Sequence, residues 1–216
     1  MKKYIFVLCI SAFLIGMFLF KITPYKEVVT SEGMIPLFTK SEMVDFADVI
    51  IRGQVVKYKE SKWSNQDSKR GENVPNIIQT DILIKIKEVY KGLPYDEKVI
   101  AVRVDKGAIE NTEYRDDSYP DFDKNEEVVL FLSLDDGLLA DLSEEYYVLT
   151  GLKQGKISLT QNKAHSKVFK SLEKDEIALN DVVNEINEEI EFLKKNPLNK
   201  MTKEELEQHN KEVFGE

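Results

Sequence analysis

Asp48-Val49-Ile50-Ile51-Arg52-Gly53-Gln54-Val55-Val56-Lys57-Tyr58 is the segment that decides the fold. It is rich in β-branched residues, which suit a pleated, half-buried strand, and its one glycine sits in the middle, where a strand bends sharply or bulges. A long strand with a built-in bend fits a sheet that curls on itself. Downstream, residues 79–90 place Ile82, Ile84 and Ile86 on one face and Asp81, Lys85 and Lys87 on the other, an amphipathic strand. Residues 98–104 read as a third strand buried on both faces, and residues 127–134 as a fourth, almost continuously apolar. A fifth covers residues 146–152, which Lys153-Gln154-Gly155-Lys156 turns back into Ile157-Ser158-Leu159. The links are a polar loop at 59–76, the turn Lys91-Gly92-Leu93-Pro94 and a long acidic connection at 105–125. None holds the long helix of a parallel crossover, so the sheet is expected to be mainly antiparallel.

Helices flank this core. Thr39 and Ser41 offer a hydroxyl cap to a short helix carrying Met43, Phe46 and Ala47 at helical spacing. Leu179, Val182, Val183, Ile186, Ile190 and Leu193 recur every three or four residues, an amphipathic helix that ends before Pro197. Residues 202–214 fit a second short helix, capped by Thr202 with Glu205 three residues on. The expected fold is therefore mainly β: a small antiparallel barrel of the oligonucleotide/oligosaccharide-binding (OB) type, with a short N-terminal and an amphipathic C-terminal helix. An immunoglobulin-like sandwich is the alternative, weakened because seven regularly spaced strands are not visible.

The first residues read as a membrane segment. Lys2 and Lys3 precede the uncharged residues 4–20, and Lys21 follows. As a helix at ~1.5 Å per residue this run spans roughly 25 Å, short for a bilayer crossing and long for a signal-peptide core. No pair of small residues follows at cleavage distance, which favours an uncleaved anchor over a cleaved peptide, and the N-terminal lysines orient the rest outward. The domain plan is then a transmembrane anchor at 1–21, a tether at 22–38, the barrel at 39–170 and a helical segment at 171–216. Cys9, the single cysteine, falls in the middle of the apolar run, so the exported part has no disulfide and no thiolate site and relies on a hydrophobic core. At 216 residues, the chain is too short for two comfortable cores. Its net charge of -9 repels phosphate backbones, so nucleic acid is not an expected partner.

Four stretches together resemble uncharacterised exported bacterial proteins: residues 47–55 around Gly53, Lys87-Glu88-Val89-Tyr90-Lys91-Gly92, residues 125–132, and Gly151-Leu152-Lys153-Gln154-Gly155. The resemblance implies a barrel similar to that of netrin modules and tissue inhibitors of metalloproteinases. It rests on strand and turn chemistry over roughly residues 40–165, so it speaks to fold rather than activity. Those inhibitors reach their target's zinc through an amino-terminal cysteine held by disulfides; this chain lacks both, and protease inhibition is not carried over.

Candidate chemistry is sparse. The two histidines, His165 and His209, read as surface residues, and no serine-nucleophile elbow is present. No two histidines lie at zinc-ligand spacing. Asp121-x-Asp123-x-Asn125 copies the start of a calcium loop, but Glu126 replaces the turn glycine and Leu132 the final glutamate. A looser calcium site would have to borrow Asp116 or Asp117; otherwise this is a solvated acidic loop. No catalytic residue, cofactor or metal is assigned. The binding candidates are Trp63, the single tryptophan, in the loop between the first two strands, and Leu138 and Leu139, with Leu142, in the loop between strands four and five. In an OB barrel these loops share one end. Their apolar side chains form either a recognition patch or a lid on the barrel.

The leading expectation is a single-pass, membrane-anchored extracytoplasmic binding module without catalysis, its ligand a protein or a cell-envelope polymer. The alternatives are a small envelope hydrolase using carboxylates and an assembly subunit acting through the C-terminal helix. Protease added to intact cells is expected to remove the domain and spare the N-terminus; a mature soluble form starting after Lys21 would contradict the uncleaved anchor.

Overall fold

The computed structural model describes residues 27–31, 37–137, 140–174 and 176–198. The expected anchor, the helix at 202–214, and Leu138 and Leu139 lie outside them. In chain order the elements are β1 (Glu27–Ser31), α1 (Lys40–Phe46), β2 (Val49–Tyr58), β3 (Lys62–Trp63), β4 (Ile78–Lys91), β5 (Val99–Val104), β6 (Gly107–Ile109), β7 (Thr112–Asp116), β8 (Glu127–Leu134), β9 (Tyr147–Leu149), β10 (Lys156–Ser158), β11 (Lys163–Ala164) and α2 (Leu179–Lys195).

Five strands form a closed barrel. β2 pairs with β4 on one edge and β8 on the other, β4 pairs with β5, β5 with β9, and β9 returns to β8. Four of these pairings are antiparallel, as the short connections require. The exception is β5 with β9, parallel through Val102 and Tyr147. A short final strand can enter parallel because it arrives from β8 by an irregular loop rather than a crossover helix.

The bend expected at Gly53 coincides with one of three shifts in the β2–β4 register, between Arg52 and Gly53. A Cβ there would lie 2.4 Å from Ile84 Cγ2 and 3.0 Å from the Lys85 carbonyl, so only glycine admits the approach. Apolar runs in β2 and β8 are continuous because both faces are covered. Val49, Ile51, Val128, Leu130 and Leu132 fill the barrel with Ile82, Ile84, Ile100 and Val102. Ile50, Val129 and Phe131 point outward into a second core with α1, Phe169, Leu172 and the Val182, Ile186 and Leu193 stripe of α2.

α1 begins with a reciprocal cap: Thr39 Oγ1 accepts from the Glu42 N–H at 3.3 Å, and the Glu42 carboxylate accepts from the Thr39 N–H at 2.7 Å. Its C-terminal end is closed by Lys91 Nζ, which donates to the Val44 and Ala47 carbonyls at 2.6 Å.

Two stretches carry structure that periodicity did not reveal. The acidic connection at 105–125 holds the β6–β7 hairpin, and Glu27–Ser31, in the segment read as tether, pairs parallel with β7. These strands are only three to five residues long, too short for a period to register. Among the described residues no helix is long and apolar enough to cross a membrane.

Ile84 is fully buried and Lys85 exposed. Ile84→Asp places an unpaired carboxylate in the barrel at a cost of several kcal/mol, a large part of the roughly 5–15 kcal/mol that holds an ordinary domain folded. The variant is expected to lose more than about 10 °C in melting temperature. Lys85→Asp is expected to shift it by about 2 °C or less. Equal melts would refute the strand's orientation.

Candidate functional site

Trp63 lies in β3, opposite Ile78 of β4, and is half-buried. The loop after it is stitched by buried Asn65, which accepts from the Arg70 N–H at 2.8 Å and donates to the Gly71 and Val74 carbonyls at 2.9 and 2.7 Å. Arg70 reaches across to the Ala140 carbonyl and Lys62 pairs with Glu144, so the loops at 59–77 and 135–146 meet. Leu142, in the second loop, is 92% exposed.

Beneath the two loops sits a charged cluster. Arg103 of β5 is 1% exposed and Asp81 of β4 is 4% exposed. The guanidinium donates to both Asp81 oxygens, at 2.7 and 3.1 Å, and also pairs with Glu144. It lies 3.6 Å from the centre of the Tyr146 ring. Burial pushes the Asp81 carboxyl up, but the Arg103 hydrogen bonds and charge, with Lys59, outweigh it and hold Asp81 below the usual carboxylate range. Sequence reading put Asp81 on the solvent face. The alternation is right, but the loops cover that face here, and one charge in each of two paired apolar strands was the legible signal.

An open cavity of about 1000 Å³ lies elsewhere, between β7, the segment 117–123 and the β10–β11 hairpin. Three of its basic side chains are neutralised. Lys106 pairs with Asp121 at 2.7 Å, Arg115 with Glu113 at 2.7 Å, and buried Lys156 with Glu126 at 2.8 Å and the Asp121 carbonyl at 2.6 Å. Glu126, where a calcium loop needs glycine, is thus an internal counter-ion, and Asp123 accepts from Gln161. Burial lowers the Lys156 ammonium below its usual range, with Glu126 opposing. Two lysines and an imidazole on the wall differ. The side chains of Lys163 and His165 have no hydrogen-bonded or ion-paired partner among the described residues, and Lys153 Nζ reaches only the Asp117 carbonyl at 3.4 Å. Desolvation lowers the His165 pKa, and the charges of Lys163, Lys156 and Lys153 lower it further. Two lysines ten residues apart and a histidine gave no pattern that sequence reading could use.

No known protein-family model matches the chain, and no curated protein does.

The Arg103 cluster acts as a latch for the loop end, and its removal should read as lost stability. Arg103→Met leaves buried Asp81 with only the Lys59 pair at 3.3 Å and is expected to cost about 3 kcal/mol, whereas Arg103→Met with Asp81→Leu should recover most of that. Because the Asp81 pKa is depressed in the fold, its contribution is present above the unfolded value of about 3.9 and is lost as pH falls below it. The double variant should therefore lose less stability than the parent between about pH 5 and 2. Urea titrations measure both; a double variant as unstable as the single one would contradict the latch.

Proposed function

We propose that this chain is an extracytoplasmic binding module, held to the membrane by residues 1–21, that takes a ligand of the cell envelope into the cavity between β7 and β11 without transforming it. The observation that carries this reading is a wall of Lys153, Lys163 and His165 without ion pairs, in a cavity whose other basic groups are neutralised. On one concave surface this acidic protein sets two lysines without ion pairs and an imidazole beside the carboxylates of Asp116 and Asp117, a mixed polar lining that suits a ligand with both an anionic group and hydrogen-bond donors. The same charge speaks against nucleic acid as the partner.

The fold supports a binding role. The closed order β2-β4-β5-β9-β8, with its single parallel pair, agrees with an OB-like barrel, a scaffold for ligand recognition, and with the resemblance to netrin-like exported proteins. The hydrolase alternative draws on the acids of the cavity, but a general acid must keep its proton near neutral pH. Lys106 holds Asp121 ionised, and Glu113 is paired with Arg115. Asp105 is pushed up by burial, yet its oxygens are taken by Gln79 and Tyr119, away from the cavity surface. The assembly alternative needs an exposed apolar stripe on α2, whereas Val182, Ile186 and Leu193 are spent in the second core. Trp63 and Leu142 remain a second candidate surface at the latched loop end; Leu138 and Leu139, expected with them, lie outside the described residues.

A photo-crosslinking residue at Gln161, on the cavity rim, is expected to capture a discrete adduct from the full chain in its native membrane. The same residue at Glu97, in the β4–β5 turn, should capture none. Equal capture at both positions, or none at Gln161, would contradict the reading.

A further inference from the structure

Within the proposed binding cavity, and resting on that reading, the ligand's chemical class can be argued from the wall. We propose that Lys153, Lys163 and His165 form a subsite for the terminal phosphate of a polyhydroxylated ester, a sugar or polyol phosphomonoester, while the carboxylates of Asp116 and Asp117 accept its hydroxyls.

Two lysine charges and an imidazole that can ionise match a group carrying more than one negative charge and several acceptor oxygens, which a single carboxylate is not. The cavity, about 1000 Å³, is far larger than phosphate alone requires, so the ligand extends beyond the anion. Its polar partners nearby are acceptors: Asp116 is held by the Ser118 N–H at 2.8 Å, and Asp117 precedes the Ser118 carbonyl that accepts the Lys153 N–H at 2.9 Å. Acceptors next to a cationic wall suit hydroxyl donors on a phosphate ester.

His165 makes the binding proton-linked. The groups within electrostatic reach are Lys163, Lys156 and Lys153, which oppose its charge, and Asp121, which favours it. An anion seated on this wall reverses the balance and draws a proton onto the imidazole, so the bound ester raises the His165 pKa.

His165 and His209 are the two histidines of the chain, so the full-length His209→Gln variant leaves one imidazole to follow by NMR. In a non-ionic detergent, at constant ionic strength held with sodium chloride, glycerol 3-phosphate is expected to raise the His165 pKa and glycerol to leave it unchanged. Inorganic phosphate should bind about ten-fold more weakly than the ester, and so should the diester glycerophosphoglycerol, which has one charge fewer. Lys153→Gln with Lys163→Gln should weaken glycerol 3-phosphate binding at least about ten-fold and abolish the pKa rise, with an unchanged melting temperature. An identical His165 titration with and without the ester, unaltered affinity in the double variant, or a diester that binds as well as the monoester would overturn the proposal. A Gln161 adduct in the membrane alongside an unchanged His165 titration would remove this inference and leave the binding role standing.

Discussion

A strand paired along both edges and buried on both faces has little freedom, and β2 is such a strand. It must meet β4 and β8 while its residues alternate between the barrel interior and the second core under α1 and α2. For the ring to close it must also bend, and Gly53 allows this by bringing β2 within a Cβ's reach of Ile84 and the Lys85 carbonyl. Closure follows from that approach: β4 and β8 are carried round until β5 and β9 pair, and the barrel keeps no free edge between them. The helices can then pack only on the outward faces of β2 and β8, which is where the apolar stripe of α2 is spent.

Both buried charged clusters lie outside this apolar interior. Arg103 and Asp81 hold the loops at 59–77 and 135–146 against the barrel, and Lys156 with Glu126 closes the base of the cavity. Charge and hydrogen bonds together offset the desolvation of Lys156 and Asp81, although Arg103 keeps its Nη1 buried without a hydrogen-bond partner. The cavity wall is different in kind. The exposed side chains of Lys163 and His165 make neither hydrogen bonds nor ion pairs among the described residues. That contrast is what the proposed binding role rests on.

Much of the barrel was legible in the sequence for physical reasons. Long strands with period-two alternation or continuous apolar runs, the glycine at the bend and the three-four spacing of α2 all report burial directly, and the structure follows them at β2, β4, β8 and α2. The β6–β7 hairpin and β1 escaped because so few residues leave no period. Asp81 was read as solvent-facing because alternation tells which face a residue occupies, not what later covers that face. The cavity was the least legible part. Lys153, Lys163 and His165 come together only through the turn before β10 and the short β11, and isolated surface lysines carry no signal of convergence.

The central claim is that the basic wall of this cavity is occupied when the protein is in its native membrane, and amine footprinting addresses it most directly. Lysine acetylation rates are compared between the protein in intact membranes and the purified chain, with exposed Lys57 and Lys69 as internal references. The account predicts that Lys153 and Lys163 are protected in the membrane and become reactive on purification, while Lys57 and Lys69 react alike in both. Equal reactivity of Lys153 and Lys163 in the two preparations would contradict it.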